Sequence, residues 1–506
     1  MFIFFKTNDT IYLYGLGRCQ MKTGFDNKKY IKLQSKKIKE RIKMFDKLYL
    51  EIGGKLFDDS HASRVLPGFK SDAKITMLTE LKDDLEIIFC INAGDIEKNK
   101  MREEHGITYD IEVMRLIDNL KNLGFSINSV VVTLYKNQPS VDTFIKKLER
   151  NNIKTYIHRF TKGYPLDIDT IVSEEGYGAN SYIETTKKLV LVNAPGPGSG
   201  KLATCLSQLY HEQKRGINAG YAKFETFPVW NLDLKHPVNL AYEAATADLK
   251  DVNMIDSFHL SAYNVAAVNY NRDLEQFPLL KAILSKINNK NIYNSPTDMG
   301  VNMVGNCITD DNVVRDAAKK EIVRRYFQEM TNYKLGLVDL EVPEKIKMLM
   351  NSLEIDENLI KPRQAALKKA SLEKVPVVAL TLKNKTITGK ASPLLSAPSA
   401  LILNVIKHLS KLPDNMELLS PNILEPILKL KHNKPLQLQE VLIALSICSV
   451  TNPMVKDALN KLDLLENCEA HSSHIITNGD LKALKELKIK LTCEAKFTSS
   501  NLYENN

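Results

Sequence analysis

The stretch Lys188–Gly216 reads K-L-V-L-V-N-A-P-G-P-G-S-G-K-L-A-T-C-L-S-Q-L-Y-H-E-Q-K-R-G and constrains the fold more than any other. Leu189 to Val192 is an uninterrupted apolar run with β-branched members, the pattern of a parallel strand covered on both faces. A glycine loop follows. Beyond it Leu202, Cys205, Leu206, Leu209 and Tyr210 recur at helical spacing, Lys214 and Arg215 complement the carboxyl end of the dipole, and Gly216 is placed to cap. Strand, glycine loop and helix are the parts of a phosphate cradle. Gly196, Gly198 and Gly200 lack β-carbons, so their N–H groups can close on an anion at the helix N-terminus, with Ser199 inside the loop and Lys201 adding a full positive charge.

The loop departs from the nucleotide-binding pattern G-x-x-x-x-G-K-[ST] at two positions. Gly200 and Lys201 fit, but Pro195 stands at the first glycine and Leu202 replaces the metal-holding hydroxyl. Magnesium therefore has no obvious ligand, unless Ser199 or Thr204 substitutes. The expected ligand is a nucleotide or another small phosphate-bearing molecule, with ATP hydrolysis disfavoured. The competing reading is a glycine- and proline-rich turn that only lets the helix pack tightly on its strand.

A chain of 506 residues has room for two to four domains. Hydrophobic residues at 44% and charged residues at 25% describe an ordinary globular protein. The net charge of +9, from 69 basic and 60 acidic residues, is too modest to argue for nucleic acid. No stretch has the apolar length of a membrane span. Seven scattered cysteines, most in apolar runs, suggest reduced thiols and a cytoplasmic setting. Lys6, Asn8 and Asp9 interrupt the apolar start, so no export signal results, and residues 1–20 read as an extension upstream of Met21.

From Lys28 to Leu50, Ile31, Ile38, Ile42, Phe45 and Leu48 fall on one helical face and lysines cover the rest, a pattern of a solvated helix. Leu85 to His158 alternates strand-like and helix-like runs, which predicts βαβαβ and a parallel sheet. Asp95 follows the carboxyl end of the first of these strands, where open α/β sheets bind ligands; it suits a metal or a ribose hydroxyl, or simply an N-cap. If the strand before Gly196 joins the same sheet, Asp95 and Lys201 open onto one crevice.

The polar segment after Gly216 supplies Glu225, Asn231, His236, Asn239, Glu243, Asn269, Asn271, Arg272, Asp273, Asp298 and Asn302 as hydrogen-bonding and acid/base groups, some to line a pocket facing the loop and others to cap helices and fasten turns. Asp95, His236 and Asp298 are the catalytic candidates. Near the C-terminus Cys468, His471 and His474 have zinc-ligand residue types at three-residue spacing, but no paired C-x-x-C or H-E-x-x-H accompanies them. A zinc hydrolase is the weakest functional reading; a noncatalytic phospholigand-binding regulator is the stronger alternative to an enzyme. The run from Val375, with turn residues Lys383, Asn384 and Lys385, predicts a hairpin followed by a helix.

Several longer motifs carry a family resemblance. A-P-G-P-G-S-G-K at Ala194–Lys201, I-N-A-G-D-I-E-K-N-K at Ile91–Lys100, G-G-K-L-F-D-D at Gly53–Asp59, F-E-T-F-P-V-W-N-L at Phe224–Leu232, S-P-T-D-M-G-V-N at Ser295–Asn302 and C-E-A-H-S at Cys468–Ser472 resemble the uncharacterised bacterial domain-of-unknown-function 1846 family. The resemblance runs from Met21 to the C-terminus. It implies a cytoplasmic, multi-subdomain α/β protein and supplies no reaction. The expected architecture is a parallel-sheet α/β domain with a P-loop-like glycine turn over 21–230, a polar, mixed helical region over 231–345, a helical linker over 346–374, and a C-terminal α/β subdomain over 375–506. A homo-oligomer is compatible with all of this.

Overall fold

The structure, a computed structural model, describes residues 22–102, 106–383 and 385–499. The segment read as an upstream extension, residues 1–20, and the turn residue Asn384 lie outside the described residues. The described chain forms two compact units, Thr23–Ala318 and the residues from Lys319 onward. The division thus falls inside the helix Asp311–Lys334, and the polar region after residue 230 belongs largely with the first unit.

Strands of the first unit are, in chain order, β1 (Lys47–Ile52), β2 (Leu85–Asn92), a short ribbon of β3 (Met101–Arg102) and β4 (Ile107–Thr108), β5 (Ser126–Thr133), β6 (Lys154–Ile157), β7 (Leu189–Asn193), β8 (Ala219–Phe224), a second ribbon of β9 (Asn253–Ile255) and β10 (Val268–Tyr270), and β11 (Gly300–Val301). Seven of them make one sheet in the order β11-β8-β1-β7-β2-β5-β6. Every pairing in it is parallel.

Burial on both faces explains the apolar strands. Leu50, Phe89, Leu191 and Val130 share one core with Val113, Leu120 and Phe144 of the helices Tyr109–Asn122 and Pro139–Arg150. Their neighbours in the strands, Tyr49, Ile88, Cys90 and Val192, pack on the opposite side with Leu209 and Ile283 of the helices Lys201–Lys214 and Asn271–Asn288. This is the three-layer outcome that period-two alternation in doubly covered strands requires.

One reading is corrected. The helix expected to run to Leu50 ends at Ile42, and K-L-Y-L-E-I is the strand β1. Its side chains divide between the two cores, Leu48 and Leu50 to one and Tyr49 to the other, and that double burial outweighs the helical spacing of the isoleucines before it. β8, at the end of the span expected to be the α/β domain, and β11, from the region read as polar and mixed helical, lie together on one side of the sheet.

The order of strands creates a crevice. From β2 the chain moves to β5, whereas from β7 the helix Lys201–Lys214 carries it past β1 to β8, on the other side. Loops leaving β2 and β7 therefore diverge from neighbouring strands. Their carboxyl ends form a topological switch point, where ligands of open α/β sheets bind.

Beyond Lys319 lies a four-stranded mixed sheet, in the order β13-β12-β14-β15, of β12 (Val377–Leu382), β13 (Lys385–Lys390), β14 (Glu469–Ser472) and β15 (Lys490–Cys493). The first two are the expected hairpin, and Leu401, Ile402 and Val405 of the following helix Ala397–Leu409 cover it together with Leu445 and Leu484. Among the described residues no helix is long and apolar enough to cross a membrane.

His158, just after β6, is 4% exposed and its Nε2 lies 3.0 Å from the Ser181 carbonyl. Burial lowers its pKa from 6.5 to about 4. The unfolded chain then binds a proton that the folded chain excludes, so stability is complete above pH 6.5 and is lost as pH falls toward about 4. Urea denaturation at pH 7 and pH 4.5 is expected to show the wild type losing about 2 kcal/mol more than His158→Gln across that interval.

Candidate functional site

The glycine loop joins β7 to the helix Lys201–Lys214 at the switch point. Its carbonyls are tied to the rest of the unit. Arg102 Nη1 donates to the Pro195 carbonyl at 2.8 Å, Asn92 Nδ2 to that of Gly198 at 3.2 Å, and Thr133 Oγ1 to that of Ser199 at 2.9 Å. The donors are treated differently. The N–H groups of Gly196, Gly198 and Gly200 form no hydrogen bond with a described residue, and no side chain caps the helix at Gly200. Asn193, 2% exposed at the end of β7, has its Nδ2 buried without a partner. The loop region thus carries a surplus of donors.

Local sterics fix this shape. Gly200 has φ +84°, and a Cβ there would lie 2.8 Å from the Thr133 side chain. A Cβ on Gly196 would run into the Tyr109 hydroxyl. The two candidate metal hydroxyls point elsewhere: Ser199 Oγ donates to the Gly196 carbonyl at 2.9 Å, and the fully buried Thr204 accepts from the Cys90 thiol at 3.4 Å.

Beside the loop lies a cluster of charges on β1, β8 and the start of the helix Asn271–Asn288. Lys201 Nζ is 3.9 Å from Glu51 Oε1, with the two side chains 16% and 12% exposed. Glu51 Oε2 accepts from the Tyr221 hydroxyl at 2.8 Å. Lys223 Nζ contacts both Glu225 Oε1 and Asp273 Oδ2 at 2.7 Å. Burial raises the Glu225 carboxyl above its ordinary range, with Lys223 pulling it down and Asp273 pushing it up. For Lys223 burial acts downward, but Asp273, Glu225 and Glu51 together hold its ammonium above the usual lysine range. A carboxyl with a raised pKa beside a fixed ammonium is suited to proton transfer.

The sequence candidates are distributed unevenly around this cluster. Asp95 sits in the first turn of the short helix Ala93–Glu97 and pairs with Lys100 at 3.4 Å, while Asn92 is the residue that caps, accepting from Gly94 N–H at 2.8 Å. Lys100 also lies over the Tyr109 ring, the ring that abuts Gly196. His236 caps the helix Pro237–Ala245: its Nδ1 faces the Val238 N–H at 3.2 Å and its Nε2 faces Asp311 at 2.9 Å, so both ring nitrogens are engaged. Asp298 accepts from the Tyr263 hydroxyl at 2.8 Å and lies 3.8 Å from Nδ1 of His259, which also meets Ser295 Oγ at 2.9 Å.

Sequence reasoning missed Glu51, Lys223 and His259. The signal for the first two was a lone charge near the end of an apolar run, L-Y-L-E-I and G-Y-A-K-F, legible once those runs are read as strands. His259 carried no such signal. In the second unit Cys468 Sγ contacts the Leu464 carbonyl at 3.8 Å, His471 Nδ1 meets Thr492 Oγ1 at 2.8 Å, and His474 Nδ1 meets Ser473 Oγ at 2.9 Å. Among the described residues no group of three or more His, Cys, Asp or Glu side chains is arranged to hold a metal ion.

The profile described as Domain of unknown function DUF1846, N-terminal, matches residues 23–354, and its C-terminal counterpart matches residues 358–503. The chain belongs to the DUF1846 family. It is 56% identical over 499 residues to a UPF0371 protein of Clostridioides difficile strain 630 and 55% identical over 502 residues to one of Clostridium tetani strain Massachusetts / E88; each alignment covers 96% of this chain and 100% of the relative. The glycine loop, the charge cluster and His259 all lie within the part matched by the DUF1846 N-terminal profile.

In this DUF1846 chain Lys223 bridges Glu225 and Asp273. Lys223→Met is expected to lower stability at pH 7 by about 3 kcal/mol, because it strands two partly buried carboxylates. A denaturant titration of wild type and variant at pH 7 checks the magnitude.

Proposed function

We propose that the loop from Ala194 to Lys201 binds the phosphate of a nucleotide or another phosphorylated metabolite, and that the neighbouring charge cluster carries out chemistry on that ligand in the cytoplasm. The observation that carries this reading is the donor surplus. Three glycine N–H groups, an uncapped helix N-terminus and the buried Asn193 amide lack acceptors among the described residues, and Lys201 stands at the same helix start. Such a set is matched by an anion with several acceptor oxygens. Lys201 neutralises phosphate charge, the loop amides fix its orientation, and Glu225 supplies a proton to a leaving oxygen. The six described cysteines are all free thiols, as a reducing compartment favours.

A second reading has its own support. Leu202 stands where a metal-holding hydroxyl would be, Ser199 Oγ is used within the loop and Thr204 is buried, which favours a phospholigand sensor without magnesium-dependent hydrolysis. Both readings predict binding.

Thermal unfolding of the full chain with ATP, ribose 5-phosphate and inorganic phosphate, each in EDTA, tests it. At one hundred times its Kd a ligand is expected to stabilise the wild type by about 2.7 kcal/mol, and to leave Lys201→Ala unshifted. No shift with any of the three phosphates sinks both readings; turnover of a ligand that does bind decides between enzyme and sensor.

A further inference from the structure

The unit that begins at Lys319 contains a cavity of about 810 Å3, built from residues remote in sequence from the glycine loop. A space of that size suits one small organic molecule. Part of its wall is apolar and includes two rings, Tyr326 and Phe327 of the helix Asp311–Lys334, with Leu367 and Val375 beside them in the lining. The Phe327 ring is 3% exposed and held by its neighbours. His471, 0% exposed, meets it edge-on at 5.0 Å between centroids, and the Arg363 guanidinium lies 5.8 Å from its centre.

The charges on the lining are unequal. Its two carboxylates already have cations: Glu494 accepts from Arg363 Nε at 2.6 Å and lies 3.3 Å from His471 Nε2, and Glu357 accepts from Lys347 Nζ at 2.6 Å. Lys374 and Lys496 also line the cavity, are exposed, and form no ion pair with a described residue. Arg363, Lys374 and Lys496 outnumber Glu357 and Glu494, so the space carries an excess of positive charge. His474 adds none at neutral pH, since burial and then Lys496 push its imidazole below the ordinary histidine value. Two free ammonium groups at an apolar, ring-walled cavity complement a ligand with an anionic head and a flat body.

We propose that this cavity binds a small organic anion with a flat apolar body, its carboxylate or phosphate held by Lys374 and Lys496 and its body lying along the apolar wall beside Tyr326, Leu367 and Val375. The site is independent of the glycine loop. It gives the second unit a binding role of its own, which the Cys468, His471 and His474 spacing had suggested only as a metal site.

Isothermal titration of the full chain with 4-hydroxybenzoate and with adenosine monophosphate separates a carboxylate head from a phosphate head; benzyl alcohol and adenosine are the uncharged controls. The expected result is saturable binding of at least one anion, weakened about tenfold or more in the double variant Lys374→Gln/Lys496→Gln and unchanged in Lys201→Ala, with much weaker binding of the matching control. Ser371→Trp, at an exposed lining position, fills the space without touching the core and is expected to abolish that binding. The proposal is overturned if neither anion binds, if the controls bind as tightly as the anions, or if the lysine double variant binds as the wild type does. Adenosine monophosphate binding that disappears in Lys201→Ala and survives in the lysine double variant belongs to the glycine loop and overturns the phosphate arm.

Discussion

Everything at the candidate site depends on β7 being enclosed. It has β1 and β2 hydrogen-bonded along its two edges, helices over both faces, and all five of its residues buried. A strand held in that way cannot shift along its register without moving apolar side chains into the wrong layer. The loop that leaves it is accordingly positioned by the core, and Arg102, Asn92 and Thr133 then hold its carbonyls. With the acceptors tied back, the donors are what the loop presents. The donor surplus is thus a consequence of the sheet rather than an isolated peculiarity of a glycine-rich turn.

The charge cluster follows from the same enclosure. Glu51 and Lys223 stand near the carboxyl ends of β1 and β8, where strand residues leave the dry interior, and Lys201 begins the helix between those two strands in the chain. Groups at that depth are too buried to be solvated fully and too polar to be left alone, so each is compensated by a neighbour. Three carboxylates, Glu51, Glu225 and Asp273, surround two ammonium groups, Lys201 and Lys223. Burial is the main physical origin of the raised Glu225 pKa; Lys223 opposes it, and the neighbouring carboxylates Asp273 and Glu51 add to it.

How far the sequence reveals this can be judged from particular residues. Strand β7, its loop and its helix are legible because an unbroken apolar run, glycines and a helical repeat follow one another without ambiguity. The alternation from Leu85 to His158 is legible for the same reason, as is the hairpin of β12 and β13. β1 is not, because its six residues follow a helix whose isoleucine spacing extrapolates smoothly into it. Missing β1 hides the neighbour of β7, and with it Glu51. Asp298 and His259 show a different limit: they lie 39 positions apart by their residue numbers and meet because the helices that carry them pack together, a contact that no local pattern encodes.

The nonstandard positions of the loop take on a definite meaning in this geometry. A hydroxyl at position 202 would begin the helix in the usual place for a metal, yet Leu202 packs instead against the core beneath the helix. Ser199 closes a bond within the loop, and Thr204 faces the strand through Cys90. Each side chain that could have held a cation is thereby committed to packing or to loop shape, while the backbone donors are left unpaired. For the anion proposed at this loop, charge neutralisation falls to Lys201 and the helix terminus, with the Arg102 guanidinium held at the Pro195 carbonyl. A phosphate bound there would leave its remaining oxygens toward the solvent or toward a second reactant, and on the strand β8, which follows the loop's helix, Lys223 is a fixed cation, its ammonium held in place by Glu225 and Asp273.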